Sequence, residues 1–537
     1  MRCGVVLGVL LALAGLAGGA WFALQPAPDG DSVLSSDAPI EFVRGNSADP
    51  ESLDPLYARS EPALNIMRDL HEGLVSLDAA GTPVPGAAQR WTESADGLAW
   101  RFEIDPAARW SDGRPVVAAD FVTTFRALGD PTLASPHGAL FLSIEGMADA
   151  LAGRAAPADI GVSVVAGEQL EIRLAAPLPW LPALLAHPAA APRRSDVPND
   201  GKVSSGPFLL GGRVPGSHVL LRRNPAYRDA AAVAIDQVRY LSLGDQASEL
   251  SRYRAGEIDM TYTVPVSRVP WLREHLAEEF RVSPYLAVYF YGLNTRRPPL
   301  DDPRVRRALS LAIDRDLIAS RITGAGEQPA CTLVPPVMPG YPSPADPACE
   351  ARRRDRIERA VALLDEAGFG PDRPLELEIR YNSGELHDRV AVAVGAMWQE
   401  GLGVKTHLVG EEFRVLLDNV RLGEVTQVYR GSWIADFAAP ESFLHILAGD
   451  NPVNGTGWAD ERYDELLAAA RVADDERTRM TALAAAEARA LEATPLMPLF
   501  FYVSKKLVKP HVCGIVDNPL NVHPSRYVSF CREANST

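Results

Sequence analysis

Apolar and polar residues follow three different rhythms along the chain. After Arg2, the stretch Gly4–Leu24 is almost entirely apolar and gives way to the polar, proline-containing "QPAPDGDSVLSSDAP". Residues 1–24 therefore read as a secretory signal or a retained membrane anchor, and 25–37 as a spacer. From about Gly81 to Phe125 the rhythm is short. "LAWRFEI" (98–104) alternates with period two, "WSDGRPV" (110–116) carries an Asp-Gly turn, and "AADFVTTFRAL" (118–128) is helical in spacing. "SVVAGEQLEIRL" (163–174) reads as another hairpin. The Pro/Ala-rich "HPAAAPRRSDVPNDG" (187–201) then interrupts the pattern as a connection between domains. In the second half the period lengthens. Asp302 before Pro303 suits a helix cap and first turn, with Val305, Ala308, Leu309, Ala312 and Ile313 on one face and Gly324 as the stop. Helices near 355–367, 387–401 and 412–420 alternate with strands at 375–382, 404–409 and 426–434. That alternation predicts a largely parallel α/β sheet, within a chain of mixed α/β and α+β character.

Ligands of open α/β sheets bind beyond the carboxyl ends of the strands. The strand ending at Asn382 brings "SGE" and His387 to that edge, and the strand ending near Ile434 brings Asp436. The pattern thus expects an acid (Asp436), an imidazole (His387), a base (Arg430) and an aromatic ring (Trp433) around one cleft. Asp436 stands out because "RGSWIADFAAPESFL" (430–444) is otherwise small and apolar there. An ionised carboxylate in such surroundings is costly unless a positive group meets it. Its nearest cation in sequence, Arg430, is six positions back and would share its strand face at a distance.

Composition narrows the classes. At 537 residues the chain is too long for one core and should form two or three domains. A net charge of −16 argues against a nucleic-acid binder, and the basic run "ARRRDRIER" (351–359) alternates with acids like a solvated helix face. No phosphate-binding, zinc-hydrolase, nucleophile-elbow or dinucleotide signature has a credible context, and no Cys/His spacing suggests a metal. Neither a cofactor nor an enzymatic activity is called for. Whether residues 1–24 are a signal or an anchor, the rest of the chain is expected to be exported, and the four cysteines beyond Cys3 can then pair in three ways. Sequence proximity favours Cys331–Cys349 and Cys513–Cys531, each 18 positions apart; four free thiols are the alternative.

Landmarks spread through the chain carry a family likeness. They are "SADPESLDPL" (47–56), "RDLHEGLVSLDAAGTPVPGAAQRW" (68–91), "ARWSDGRPVVAADFV" (108–122), "RYRAGEIDMT" (252–261), "DDPRVRRALSLAIDRD" (301–316) and "GSWIADFAAPESFL" (431–444). In this order, from about Phe42 to Tyr527, the sequence resembles the periplasmic oligopeptide-binding proteins, in the peptide/nickel class of solute-binding receptors for ABC transporters. The resemblance implies a periplasmic-binding-protein-like fold, with two lobes and an extra domain closing on an extended short peptide. Lobe one would comprise 38–71, 200–285 and 504–537, the extra domain 72–199, and lobe two 286–503. It also implies a periplasmic monomer, possibly tethered by its N-terminal segment, that hands peptides to a membrane permease.

By the same resemblance, Asp436 pairs with the peptide's α-amino group, and Gly431, Ser432, Trp433 and Ile434 form a strand that hydrogen-bonds to the ligand backbone, with Trp433 lining a side-chain pocket. Arg430 and His387 meet the peptide carboxylate, and so does Arg297, where that branch commonly has lysine. The chain departs from the pattern at "ARSEP" (58–62), at His137, where an aromatic is more usual, at 341–350 and in its cysteines. Competing readings keep the fold but change the cargo to a murein peptide, a modified peptide or a solute such as a nickel chelate. A further one is an exported peptidase.

Overall fold

The computed structural model describes residues 39–423, 427–449, 451, 453–473 and 475–531. The signal or anchor read at 1–24 and the spacer at 25–37 lie outside them. Near the start of the described chain, a four-stranded sheet is built from Glu41–Gly45, Gln237–Leu241, His218–Arg223 and Phe208–Val214, neighbouring in that order. Helix α1 (Glu61–Leu70) packs on it. Ser60 caps α1 by accepting from the Ala63 amide at 3.3 Å, and Pro62 sits in the first turn, where its missing N–H costs nothing. Ala63, Ile66, Met67 and Leu70 follow helical spacing and are fully buried. The same geometry turns Glu61, Leu64 and Arg68 toward the opposite side.

A second sheet, antiparallel throughout, runs in the order Ala88–Glu93, Ala99–Ile104, Gln169–Arg173, Val162–Val165. The helix read at 118–128 spans those residues. It buries Phe121 and Phe125 against a core that includes Trp100 and Phe102. The Asp-Gly turn is also present. Gly113 has φ +87°, and its amide donates to the Trp110 carbonyl at 2.8 Å. A short turn at Pro188–Ala190 follows, and residues 191–207 contain no regular element.

The site rests on the third sheet. Its labelled elements are β1 (Phe280–Leu293), α2 (Pro303–Ala312), β2 (Glu376–Asn382), α3 (Glu385–Leu402), β3 (Lys405–Glu411), α4 (Phe413–Leu422), β4 (Val428–Ile434) and β5 (Leu496–Leu507). The helix–strand alternation from 376 to 434 is as the pattern predicts. Asp302 caps α2 through the Arg304 amide at 2.8 Å, but the helix stops at Ala312. Shorter turns then lead to Gly324, whose φ is +64°.

The expectation of a largely parallel sheet is corrected. The order is Gln328–Pro329, β5, β1, β4, β2, β3. Only β2–β3 and β2–β4 are parallel; β4–β1, β1–β5 and the edge pair are antiparallel. Crossover helices enforce parallel pairing only where they exist, from β2 to β4. The long strands β1 and β5 have no such connection between them. Both span the distance between the first sheet and this one, β1 running in and β5 running back out, and their register breaks between Pro284 and Val288. Cys331–Cys349 and Cys513–Cys531 are both bonded, with Cα–Cα distances of 5.9 and 5.7 Å.

Candidate functional site

Strand β4 organises the site. Along one edge it pairs with β1 over its whole length, from Val428 opposite Leu293 to Ile434 opposite Ala287. Along the other edge it meets β2 only at Val428 and Tyr429. Among the described residues, that second edge is therefore unpaired over Arg430–Ile434. An open strand edge presents amide donors and carbonyl acceptors to any extended chain laid beside it.

Gly431 has a packing reason of its own. Its register partner is Phe290, and an added Cβ would come within 2.3 Å of that ring. Alternation along β4 then sends Arg430, Ser432 and Ile434 to one face and Trp433 to the other. Trp433 is half-buried against the core around Val288 and Phe290, with Nε1 3.5 Å from Ser442 Oγ, and is not among the residues lining the neighbouring cavity.

Past the end of β4, Asp436 opens on a cavity of about 160 Å³. Ile434 and Phe437 line it from the same segment, Glu61, Leu64 and Arg68 from the outward face of α1, and His187 from the other side. Among the described residues the Asp436 carboxylate makes no hydrogen bond or ion pair; only its amide is engaged, donating to Ser442 Oγ at 3.2 Å. Burial pushes its pKa up to about 6, against the pull of Arg68. Among the described residues, Arg68 is the cation that acts on it appreciably. The Arg68 guanidinium reaches just the Asn65 side chain, at 3.5 Å, and its Nε is shielded without a partner.

At the other end of the bare edge, Arg430 donates to Tyr502 Oη at 2.9 Å and Asn382 Oδ1 at 3.3 Å, and its guanidinium lies 4.9 Å from the Tyr289 ring centroid. No carboxylate pairs with it among the described residues. His387 joins this cluster, its ring 5.7 Å from that of Tyr289. Burial, helped by the Arg430 charge, lowers its pKa to about 3, so its imidazole is neutral. Among the described residues, Arg430 Nε, His387 Nδ1 and the hydroxyls of Tyr289 and Tyr291 are shielded from solvent and make no well-aligned hydrogen bond, although the Tyr289 hydroxyl lies close enough to Arg430 and Tyr291 to interact with both. Buried polar atoms left unpaired typically cost about 1–3 kcal/mol each, so four together need an explanation.

The single cleft expected from the sequence is thus resolved into two clusters on one strand. Arg430 and Asp436 are separated by six positions, roughly 20 Å at about 3.3 Å per residue. Arg297 joins neither: it lies in a turn beyond β1, its amide on the Asn294 carbonyl, and its guanidinium has no polar partner among the described residues. On the wall opposite β4, "ARSEP" contributes Arg59 and Glu61 to the cavity, whereas His137 is occupied by the Ala58 carbonyl at 2.7 Å. Glu61, Arg68 and His187 were missed in the sequence. The spacing of 61, 64 and 68 was the available signal for the first two.

The family model for bacterial extracellular solute-binding proteins, family 5, matches residues 82–455. The chain is 36% identical over 485 residues to the periplasmic oligopeptide-binding protein OppA of Salmonella typhimurium, covering 88% of this chain and 89% of that one. Its structure is similar to that of the Escherichia coli murein tripeptide binding protein MppA, with a TM-score of 0.84, 33% identity, and 92% and 99% of the two chains covered. Haemophilus influenzae OppA in complex with RPPGFSPFR gives a TM-score of 0.83 and 30% identity, over 92% and 100% of the chains.

Proposed function

The chain belongs to the bacterial extracellular solute-binding proteins of family 5, and from that premise we propose how it holds its ligand. It is an extracytoplasmic receptor that captures short peptides and delivers them to an ABC importer. The observation that carries this reading is the charge pattern along β4. An anion without an internal ion pair stands at one end, a cation without one stands at the other, and an unpaired strand edge lies between. An extended peptide is the complement of all three, with an ammonium, a carboxylate and a backbone ready to act as an added strand.

In this reading Asp436 takes the α-amino group. Arg430 takes the carboxylate, and His387 assists as a neutral donor. The backbone of Gly431–Ile434 takes the middle of the ligand. Charge-assisted hydrogen bonds at both termini are the strong contacts, and the backbone ladder makes binding tolerant of side chains. A span of roughly 20 Å, shortened by the reach of the arginine, suits peptides of about three to five residues. Arg297 serves carboxylates of longer ligands. The apolar cores gathered separately around Phe42, Phe121 and Val305 support the division into 38–71 with 200–285 and 504–537, 72–199, and 286–503. The receptor works as a monomer beside its permease, released by cleavage within 1–24 or held by it.

A second reading, capture of a murein-derived peptide, rests on the likeness to MppA. Calorimetry on the purified chain tests both. Tri-alanine should bind, N-acetylation or C-amidation should each weaken it at least tenfold, and a murein tripeptide competing more strongly than tri-alanine would favour the second reading. Equal affinity for blocked and free peptides would overturn capture through the charged ends.

A further inference from the structure

Beside the cavity that holds Asp436 lies a smaller one of about 20 Å³, and the two share Arg68, Leu77, Ala186 and His187 in their walls. The smaller cavity is lined by two arginines and two histidines, Arg68, Arg526, His71 and His187, and by no acid. Several of its donors point at nothing. His71 is 7% exposed, yet among the described residues neither ring nitrogen has a partner, and the Nε atoms of Arg68 and Arg526 are shielded and unpartnered too. The Arg526 charge is already matched, at 2.9 Å, by Glu72. Arg68 has no ion pair within 4 Å among the described residues, only the carboxyls of Glu61 and Asp436 acting on it from farther away. Glu61 is a weak counterion because burial pushes its own pKa up and its carboxyl already accepts from Tyr285 at 3.1 Å.

From these observations, and resting on the peptide-binding reading above, we propose that Arg68 and His71 form a subsite for an acidic side chain on the first residue of the bound peptide. The first residue is indicated because the cavity adjoining Asp436, where the ammonium docks, is the one that opens toward this donor cluster. Once an ammonium engages Asp436, Arg68 loses one of the two carboxylates that act on it and keeps only the weak Glu61, and a ligand carboxylate restores the balance. The smaller cavity has room for about one water-sized group, which matches a single carboxylate oxygen reaching between the donors. Burial lowers the His71 imidazole to about 4, so it meets the anion as a neutral N–H donor and Arg68 supplies the charge.

Isothermal titration calorimetry with the purified full chain and the tripeptides Glu-Ala-Ala, Gln-Ala-Ala, Ala-Glu-Ala and Ala-Gln-Ala tests this. Glutamine keeps the shape of glutamate and removes the charge. The expected result is about tenfold tighter binding of Glu-Ala-Ala than of Gln-Ala-Ala, with no comparable gain at the second position. The ratio should fall to about one in Arg68→Gln and shrink in His71→Phe, which keeps a ring in the buried position if the arginine variant does not fold. Equal binding of the first pair, a preference that survives both substitutions, or a larger gain at position two would overturn the subsite while leaving peptide capture standing. Failure of all four tripeptides to bind would overturn both.

Discussion

Asp436 and Glu441 stand five positions apart in "DFAAPE", and their surroundings solve the same problem in opposite ways. Glu441 is 1% exposed and forms an ion pair with Arg479, whose side chain is 8% exposed and also meets Glu476 at 2.7 Å. Its counterion is built into the fold. The Asp436 carboxylate faces a cavity, has no polar partner among the described residues, and is pushed by burial up to a pKa of about 6. A carboxylate completed from within holds helices together; one left incomplete is a destabilising group whose partner must come from outside. The difference marks Glu441 as a structural charge and is what the proposed role of Asp436 as a receiving one rests on.

The contrast can be broken most forcefully at Asp436. Asp436→Asn should cost roughly 3–5 kcal/mol of affinity for tri-alanine, because the ligand ammonium would be left desolvated and unpaired. The unfolding midpoint of the ligand-free variant at neutral pH should be unchanged or higher; a lower midpoint together with intact affinity would reverse the assignment. Glu441→Gln should behave oppositely. A loss of about 3 kcal/mol in urea-induced unfolding is expected, less than a full buried pair because Glu476 remains, with affinity retained by the folded fraction.

A smaller effect is expected at the other end of the strand. Arg430→Met should weaken tri-alanine by about 2 kcal/mol yet barely change binding of its C-terminal amide, since the lost contact is to the carboxylate. Equal losses for both ligands would make Arg430 a packing residue.

The mildest probe is pH. The Asp436 pKa is raised in the folded protein, so this group's contribution to ligand-free stability is present below the ordinary carboxylate range and is lost as pH rises through about 6. Ligand affinity runs the other way, because only the ionised form attracts an ammonium. It should fall about tenfold from pH 7 to pH 5, and Asp436→Asn should flatten the profile.

Much of this arrangement was legible in the sequence, for identifiable reasons. The helix at 118–128, the alternation from 376 to 434 and the position of Asp436 at a strand's carboxyl end all follow from local period and a lone acid in an apolar run. Strands β1 and β5 were not legible, because "LAVYFYGL" and "LMPLFFY" are buried on both faces and carry no alternation. Without them the sheet reads as parallel. Nor does period reveal which distant faces meet. Arg68 lies 368 positions from Asp436, and only the folding of α1 against its sheet turns its guanidinium toward that carboxylate. Period alone also does not show that Phe290 packs on Gly431, with the indole of Trp433 half-buried beside the same core.

The bond between Cys513 and Cys531 has a consequence for where the molecule can work. The loop it closes carries Leu520 and Val522 to the larger cavity and Pro524 and Arg526 to the smaller. One wall of the binding space is therefore fastened by a covalent stitch, which restrains the unfolded chain by about 3 kcal/mol. A thiol-reducing milieu would remove that restraint and leave the wall to the apolar packing of Val512, Ile515 and Val528 and the Arg526–Glu72 ion pair, so the wall is most firmly set where thiols are oxidised.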